Sequence, residues 1–226
     1  MNTITMLEIG LSNLFIIKGD KTVILDTGCG LNKEEYKEKL LSCGLDPNDV
    51  SLIILSHGHF DHCAELDMLK ELTGAPVLCH KNAAEFLKSG KCHEYIPRGE
   101  IGQKFLDVIS TITPKLPAST VPEITMEDDD FDLTPYGISG KLIYTPGHEL
   151  SSIALVLDSG EAFVGDTLLE NPFEKGKLTA AVLCENRELL KMSIERLLTE
   201  ADVFYCGHGS KAFTKDKVAG ALRELN

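Results

Sequence analysis

The most informative segment of this 226-residue chain is the hexapeptide HGHFDH at residues 57–62, which holds three imidazoles and a carboxylate. It follows a short apolar run that is typical of a buried strand. Side chains alternate along an extended chain, so His57 and His59 are expected to point the same way. Imidazole and carboxylate groups at this spacing indicate a metal site. If a helix begins near Asp61, then Asp61 and His62 lie in its first turn and could hold a second ion.

Three further segments share one pattern with the hexapeptide, in which a short apolar strand ends at a glycine-containing loop that carries a histidine or an aspartate. Their candidate ligands are His148, Asp166 and His208. Metal ions of this kind take about four to six ligands each, more than one hexapeptide can supply to two ions. Because α/β folds gather functional groups at one edge of their sheets, we expect these loops to meet the hexapeptide.

The order HxHxDH, TPGH, GD and GHG resembles the metallo-β-lactamase superfamily of metallohydrolases over nearly the whole chain. The resemblance implies an α/β fold, a four-layer αβ/βα sandwich of two mixed β-sheets flanked by helices. It also implies a ligand set in three parts. These are His57, His59 and His148 for the first metal, Asp61, His62 and His208 for the second, and Asp166 as the bridge between them. The segment at residues 25–28 resembles the DTG element of the family, whose aspartate, here Asp26, has a structural or ligand-supporting role.

The resemblance implies metal-dependent hydrolysis of a small ester, thioester or lactone, as in glyoxalase II-like and lactonase-like members. Two divalent ions, with Zn²⁺ expected first and Fe or Mn as alternatives, would share a water and present a metal-bound hydroxide to the substrate. Asp61 is the candidate catalytic residue, because it could orient that hydroxide and accept a proton. Two departures from the family pattern, Cys63-Ala64 and Glu149-Leu150, remove no ligand but touch the expected pocket wall.

Other functions stay open at this point. An iron-dependent persulfide dioxygenase of the same fold would need one iron, held by His57, His148 and Asp166, but the complete second ligand set favours two metals. A phosphodiesterase or nuclease is disfavoured by the net charge of −13, since affinity for nucleic acid comes mainly from neutralised phosphates. A non-catalytic scaffold would more plausibly have lost a ligand. We therefore expect a small-molecule substrate and no nucleic-acid partner.

Local patterns predict the elements that position these loops. Strands are expected at residues 3–8, 13–18, 22–26, 51–55, 76–79, 122–125, 131–133, 138–144, 152–157, 161–165 and 202–205, and helices at 33–42, 62–72, 81–88, 185–199 and 214–225. Asn32, with Glu35 three positions on, is a capping-box signal for the first helix. Asp158-Ser159-Gly160 predicts a hairpin turn.

The whole chain, residues 1–226, is expected to form one domain with an insertion at about 89–121. Such an insertion often covers a functional cleft, so His93 and Tyr95 are candidate substrate contacts, and Phe173 is another because its loop follows Asp166. Packing away from the site, or in a dimer, is the alternative, and a homodimer is the default oligomer. Seven cysteines without a CxxC pair, no signal-peptide pattern and no membrane span predict a cytoplasmic protein.

Overall fold

The computed structural model describes residues 2–89, 95–112, 117 and 120–225. The strands within these residues are β1 (Thr3–Ile9), β2 (Ser12–Lys18), β3 (Thr22–Leu25), β4 (Val50–Ile54), β5 (Val77–His80), β6 (Ile124–Met126), β7 (Phe131–Asp132), β8 (Gly140–Tyr144), β9 (Ile153–Leu157), β10 (Glu161–Phe163), β11 (Leu168–Glu170), β12 (Leu178–Ala180), β13 (Val203–Tyr205) and β14 (Phe213–Thr214). The α-helices are α1 (Lys33–Ser42), α2 (Phe60–Cys63), α3 (Leu66–Thr73), α4 (Lys81–Ser89), α5 (Gly99–Ile109), α6 (Arg187–Glu200) and α7 (Lys215–Arg223).

Two six-stranded mixed sheets form the centre of the fold. The first has the order β1-β2-β3-β4-β5-β6, antiparallel from β1 to β3 and parallel from β3 to β6. The second has the order β14-β13-β10-β9-β8-β7, in which only the pair of β13 and β10 is parallel. β11 and β12 form a separate hairpin.

Strand alternation divides the buried side chains into three layers. In β4, Leu52 and Ile54 face the core between the two sheets, whereas Ile53 faces the helices outside the first sheet. In β9, Leu155 faces the core between the sheets and Val156 faces the helices outside the second sheet. Both faces of each central strand are therefore apolar. The predicted four-layer sandwich of two mixed sheets flanked by helices is confirmed.

Helix α1 begins as the sequence predicts. The side chain of Asn32 accepts hydrogen bonds from the backbone N–H groups of Glu34 and Glu35, and the Glu35 side chain accepts from the backbone N–H of Asn32. This reciprocal arrangement satisfies N–H groups that have no partner within the helix. The predicted start at residue 33 and end at residue 42 are both confirmed.

The prediction of one continuous helix at residues 62–72 is wrong, because the chain forms two helices there, α2 and α3. The break lies at Glu65, which is fully buried and turns towards the loop after β3. Its backbone N–H donates to the Thr27 hydroxyl at 3.2 Å, and its carboxylate accepts from the Gly30 N–H at 2.8 Å. These contacts with a distant loop outweigh helix continuity. The predicted start of a helix near Asp61 is nonetheless correct, since α2 begins at Phe60.

The segment around α5 lies against the second half of the chain. Its apolar side chains, including Ile101 and Phe105, pack on the core outside the second sheet. The Arg98 guanidinium donates to the carbonyls of Ala181 and Ala180 at 2.7 and 3.0 Å, so the segment is fixed beside β12. The insertion that the sequence predicts at about residues 89–121 thus contains a helix that packs on the core.

The cysteines and the helix lengths bear on two expectations drawn from composition. Among the cysteines that the structure describes, all are free thiols, while Cys92 lies outside the described residues. Within the same residues, the protein contains no helix with the length and apolar character that crossing a membrane requires.

Candidate metal centre

The candidate site lies where strands of the two sheets end. The hexapeptide follows β4, and Asp26 follows β3, which runs parallel to β4. His148 follows β8. Asp166 follows β10, and His208 follows β13, which runs parallel to β10. Each loop was predicted from an apolar strand that ends in a glycine-containing turn, and the fold brings these ends together.

The loops of the two sheets are joined directly. The Ile153 N–H donates to the Ser56 carbonyl at 2.8 Å, and the Asn13 N–H donates to the Gly207 carbonyl at 2.7 Å. Gly207 also leaves room at the site, because a Cβ atom there would lie 2.4 Å from Oδ1 of Asp166 and 2.6 Å from Cε1 of His62. A side chain at residue 207 would therefore displace two candidate ligands.

The first ligand group contains His57, His59, His148 and Asp166, whose ligand atoms all lie within 4.8 Å of one another. Nδ1 of His59 lies 3.2 Å from Nε2 of His57 and 3.0 Å from Nε2 of His148. Nε2 of His148 lies 3.9 Å from Oδ2 of Asp166. Three imidazoles therefore converge on one point beside a carboxylate.

The second ligand group contains Asp61, His62 and His208, again within 4.8 Å of one another. Oδ2 of Asp61 lies 3.6 Å from Nε2 of His62 and 3.4 Å from Nε2 of His208. Asp166 adjoins this group as well, with Oδ1 at 3.5 Å from His62 and Oδ2 at 3.1 Å from His208. The structure thus brings the seven predicted ligands together in the two groups that the resemblance implies, with Asp166 between them.

Hydrogen bonds on the far side of the rings determine which nitrogen of the first group faces inward. Nδ1 of His148 lies 2.8 Å from the Leu183 carbonyl, which can only accept, so Nδ1 carries the proton and Nε2 the lone pair. Nδ1 of His57 lies 2.9 Å from the Ser56 hydroxyl, which donates its own proton to Asp26 at 2.7 Å. His57 must therefore donate to Ser56, which leaves its Nε2 lone pair for the site.

The second group is oriented in the same manner. Nδ1 of His62 lies 2.8 Å from Oδ2 of Asp26, and Nδ1 of His208 lies 2.7 Å from the Leu11 carbonyl. Both partners are acceptors, so each neutral ring carries its proton on Nδ1 and presents the Nε2 lone pair. Asp26 thus lies behind His62, at the position that a ligand-supporting role would require.

Electrostatics differ between the two groups. Burial, followed by repulsion from neighbouring imidazoles, lowers the pKa of His57 well below its usual value and that of His148 to about 4. In the second group burial also opposes the charged ring, but the surrounding carboxylates, led by Asp166, raise the pKa of His62 well above its usual value and that of His208 to about 9. Although burial would raise the pKa of Asp166, His208 and His62 hold it well below its usual range. The carboxylates therefore draw positive charge, as protons or as a cation, into the second group.

The residues fit divalent metal ions on three grounds. Nε2 of His62 and Oδ1 of Asp166 are buried without a hydrogen-bond partner among the described residues, which is costly for polar atoms. Two ligand atoms about 2.1 Å from a tetrahedral ion are roughly 3.4 Å apart, close to the separations measured here. Imidazole and carboxylate together are ligands that Zn, Fe and Mn accept.

The three candidate substrate contacts have different outcomes. The Tyr95 ring lies 4.6 Å from the His59 ring, so it borders the first ligand group. Phe173 is 54% exposed and is not among the residues that line the cavity beside the site. His93 lies outside the described residues. Of the two candidates that the structure describes, Tyr95 is the one placed beside the ligands.

A cavity of about 390 Å³ opens beside His208. Leu11 and Phe105 supply apolar wall, and Asn171 and Lys175 supply polar groups. This volume is in the range of small-molecule sites. Phe105 comes from α5 and Asn171 from the turn of the β11–β12 hairpin, so both segments that the sequence offered as cleft walls reach this cavity.

Sequence reasoning missed one residue at the site. Glu149 is 1% exposed, and its Oε1 lies 3.1 Å from Nε2 of His59. The sequence showed it only as an unusual residue after His148. Its position directly after His148 in the sequence indicated that it lies near the site. Its contact with His59, 90 residues earlier in the chain, depends on the fold and could not be predicted.

Comparisons with known proteins agree with this architecture. A family model described as the metallo-beta-lactamase superfamily matches residues 8–210. The chain is 31% identical over 201 residues to the probable metallo-hydrolase YqgX of Bacillus subtilis, covering 86% of this chain and 83% of that protein. It is 26% identical over 200 residues to a probable metallo-hydrolase of Methanocaldococcus jannaschii, covering 88% of this chain and 87% of that protein.

Solved structures show the same fold. BLEG-1, a B3 metallo-beta-lactamase, superposes with a TM-score of 0.73 at 19% identity, over 99% of this chain and 100% of that one. A protein solved in a di-iron-bound form superposes with a TM-score of 0.63 at 21% identity, over 99% and 98% of the two chains. The chain belongs to the metallo-beta-lactamase superfamily, which includes metal-dependent hydrolases, and its cluster of histidines and aspartates suits divalent metal ions.

Proposed function

We propose that this protein is a dinuclear metal-dependent hydrolase that cleaves a small ester, thioester or lactone. The observation that carries the proposal is the complete set of seven ligands in two groups that share Asp166. Two curated relatives are named probable metallo-hydrolases, and one structural neighbour was solved with two irons bound. Both support a two-metal hydrolase on this fold.

The ligand roles follow from the two groups. His57, His59 and His148 would hold one ion, and Asp61, His62 and His208 would hold the other. Asp166 would contact both, since its carboxylate approaches His148 of the first group as well as His62 and His208 of the second. Two divalent ions bound here would polarise a carbonyl oxygen and lower the pKa of a shared water. Zn²⁺ is the first choice, and Fe and Mn suit the same ligands.

Asp61 is the proposed catalytic residue among the protein's own groups. Its side chain is 13% exposed, and its Oδ2 lies 3.6 Å from Nε2 of His62 and 3.4 Å from Nε2 of His208. The Ser12 hydroxyl donates to the backbone carbonyl of Asp61 at 2.5 Å, which fixes the start of α2. A carboxylate held in this manner can orient a water molecule and accept its proton.

The surroundings suit a small acyl substrate. The Tyr95 ring shields His59 on one side, and the cavity beside His208 combines apolar wall from Leu11 and Phe105 with the amide of Asn171. The apolar part would accommodate an acyl or ring carbon chain, while polar groups would orient the carbonyl. A net charge of −13 gives no general attraction for nucleic acid, and we propose no nucleic-acid partner.

The alternative of a one-iron persulfide dioxygenase would use only His57, His148 and Asp166. The approach of Asp61, His62 and His208 to one another favours two ions over one. Elemental analysis distinguishes the two functions, because it counts the ions per chain and identifies them.

The test uses protein purified without a chelator or a metal-affinity tag. We expect two ions per chain and hydrolysis on a panel of small esters, thioesters and lactones. Asp166→Asn should lower both the metal content and the activity, the latter on the order of 100-fold or more. Asp129→Asn, which removes an exposed carboxylate outside both groups, is the matched control and should leave both unchanged. Close to one iron per chain, with no second metal after reconstitution, would overturn the proposal and direct the assay to oxygen consumption with persulfides.

A further inference from the structure

Glu149 is a buried carboxylate, and three of its polar neighbours lie among the described residues. Its Oε2 accepts hydrogen bonds from the Gly58 N–H at 2.7 Å and from the Ser151 hydroxyl at 2.6 Å. Its Oε1 lies 3.1 Å from Nε2 of His59. A carboxylate is costly to bury unless donors surround it, so this placement depends on all three neighbours.

These contacts tie two ligand loops together. Gly58 lies between His57 and His59, and Ser151 belongs to the loop that carries His148. One side chain therefore links the backbone of the hexapeptide to the second ligand loop. Glu149 directly follows His148, which places its carboxylate behind the first ligand group.

His59 is oriented differently from the other ligand rings. His57 and His148 present Nε2 to the first group, whereas His59 presents Nδ1, at 3.2 and 3.0 Å from those two atoms. For the Nδ1 lone pair to be available, the proton of the neutral ring must lie on Nε2. That nitrogen is the one beside Glu149, and an ionised carboxylate can only accept.

We propose that Glu149 is a positioning residue that keeps the proton of His59 on Nε2 and so turns its Nδ1 towards the first metal ion. The inference deepens the proposed function and rests on it for the bound ion. Glu149 touches neither substrate nor ion. It acts on His59 as Asp26 acts on His62, the Leu183 carbonyl on His148 and the Leu11 carbonyl on His208.

The first measurement is the tautomer of His59 in the wild-type chain, by long-range ¹⁵N–¹H NMR on protein labelled at histidine. The signal is assigned by comparison with His59→Asn. We expect Nε2 of His59 to carry a proton in both metal-free and zinc-loaded protein, and Nδ1 to carry none once zinc is bound. An unprotonated Nε2 in the wild type would overturn the inference without any variant of Glu149.

The second measurement uses Glu149→Gln in the full chain. Glutamine keeps the length of the side chain, but its NH₂ group is a donor and cannot accept from Gly58, Ser151 and His59 together. We expect the proton of His59 to be no longer confined to Nε2. We also expect one ion per chain to bind about 10- to 100-fold more weakly in competition with a chelator. Glu195→Gln, an exposed change of the same type on α6, should match the wild type in both measurements.

The outcomes separate the possible failures. Wild-type metal affinity in Glu149→Gln would overturn the positioning role. Weaker metal binding with the His59 tautomer unchanged would also overturn it, since that result indicates only that Glu149 holds the two loops together. If the wild type binds no metal, the proposed function fails, but the tautomer of metal-free His59 still decides the role of Glu149. If Glu149→Gln does not fold, the wild-type tautomer and Ser151→Ala decide. Ser151→Ala keeps the acceptor beside His59 and should keep the proton on Nε2.

Discussion

Replacement of Asp26 should separate the stability of the fold from the binding of the second metal ion. Asp26 is fully buried, and its carboxylate accepts from the Ser56 N–H and the Ser56 hydroxyl, both at 2.7 Å. Its Oδ2 also lies 2.8 Å from Nδ1 of His62. The backbone of Asp26 has φ 61°, in the left-handed region that asparagine and aspartate tolerate better than other non-glycine residues.

The expected magnitudes follow from these contacts. Asp26→Ala leaves the Ser56 N–H and the His62 Nδ1–H buried without an acceptor, at about 1–3 kcal/mol each, and adds about 1–2 kcal/mol for alanine in the left-handed region. The free energy of unfolding should fall by about 3–8 kcal/mol, a large part of the ~5–15 kcal/mol typical of a domain. Asp26→Asn keeps the backbone conformation and one acceptor oxygen, so we expect a loss of about 1–3 kcal/mol.

The effect of Asp26→Asn on metal binding should be larger than its effect on stability. The new NH₂ group faces a second donor, the Nδ1–H of His62, and the ring relieves this conflict by moving its proton to Nε2, the atom that must hold the ion. We expect the second ion to bind about 10- to 100-fold more weakly. Urea unfolding of metal-free protein measures the first effect, and metal content after dialysis measures the second. An Asp26→Asn variant that retains two ions at wild-type affinity would refute the reasoning, as would an Asp26→Ala variant as stable as the wild type.

Three further predictions concern the loops and the cleft. Gly147→Ala should lower the free energy of unfolding, measured in urea, by about 1–3 kcal/mol, because the alanine Cβ would lie 2.2 Å from the backbone N of Leu190 in α6. An unchanged urea midpoint would contradict this prediction. In metal-free protein, the raised pKa of His208 stabilises the fold fully below the ordinary pKa of 6.5, and this contribution is lost as pH rises through about 9. The urea midpoint of metal-free protein should therefore fall as the pH rises from 6.5 through about 9. The midpoint of metal-loaded protein should not fall, because His208 is already deprotonated there. A midpoint that is independent of pH in both forms would count against the pairing of His208 with Asp166. Tyr95→Ala should leave the metal content unchanged and raise KM about 10-fold, which is equivalent to roughly 1.4 kcal/mol of lost substrate contact. A loss of metal would instead show that Tyr95 supports His59.

The parts of the fold that the sequence predicts are those with strong local patterns. β4 and β9 are continuous apolar runs ended by polar loops, and α1 carries its own cap at Asn32. The ligand loops were also predictable, because each follows such a strand and contains a glycine beside a histidine or an aspartate. Local patterns therefore determined both the layers and the edge at which the ligands meet.

The parts that local patterns do not predict depend on contacts between distant segments. The break between α2 and α3 arises where Glu65 turns towards Thr27 and Gly30. β11 and β12 have three residues each, and β14 has two, which is too short for any periodicity to be read. The role of Glu149 required knowing that the loop after β8 packs on the hexapeptide.

The ligand rings are oriented by groups from separate parts of the chain. His148 depends on the carbonyl of Leu183 after β12, and His208 depends on the carbonyl of Leu11 between β1 and β2. His62 depends on a side chain after β3. These supports lie on the first sheet and after the separate β11–β12 hairpin, whereas His148 and His208 follow strands of the second sheet. The correct tautomers therefore exist only when these parts are assembled. The unfolded chain contains every ligand but none of these supports. Metal binding by this protein is therefore coupled to the packing of the whole sandwich, and not to the hexapeptide alone.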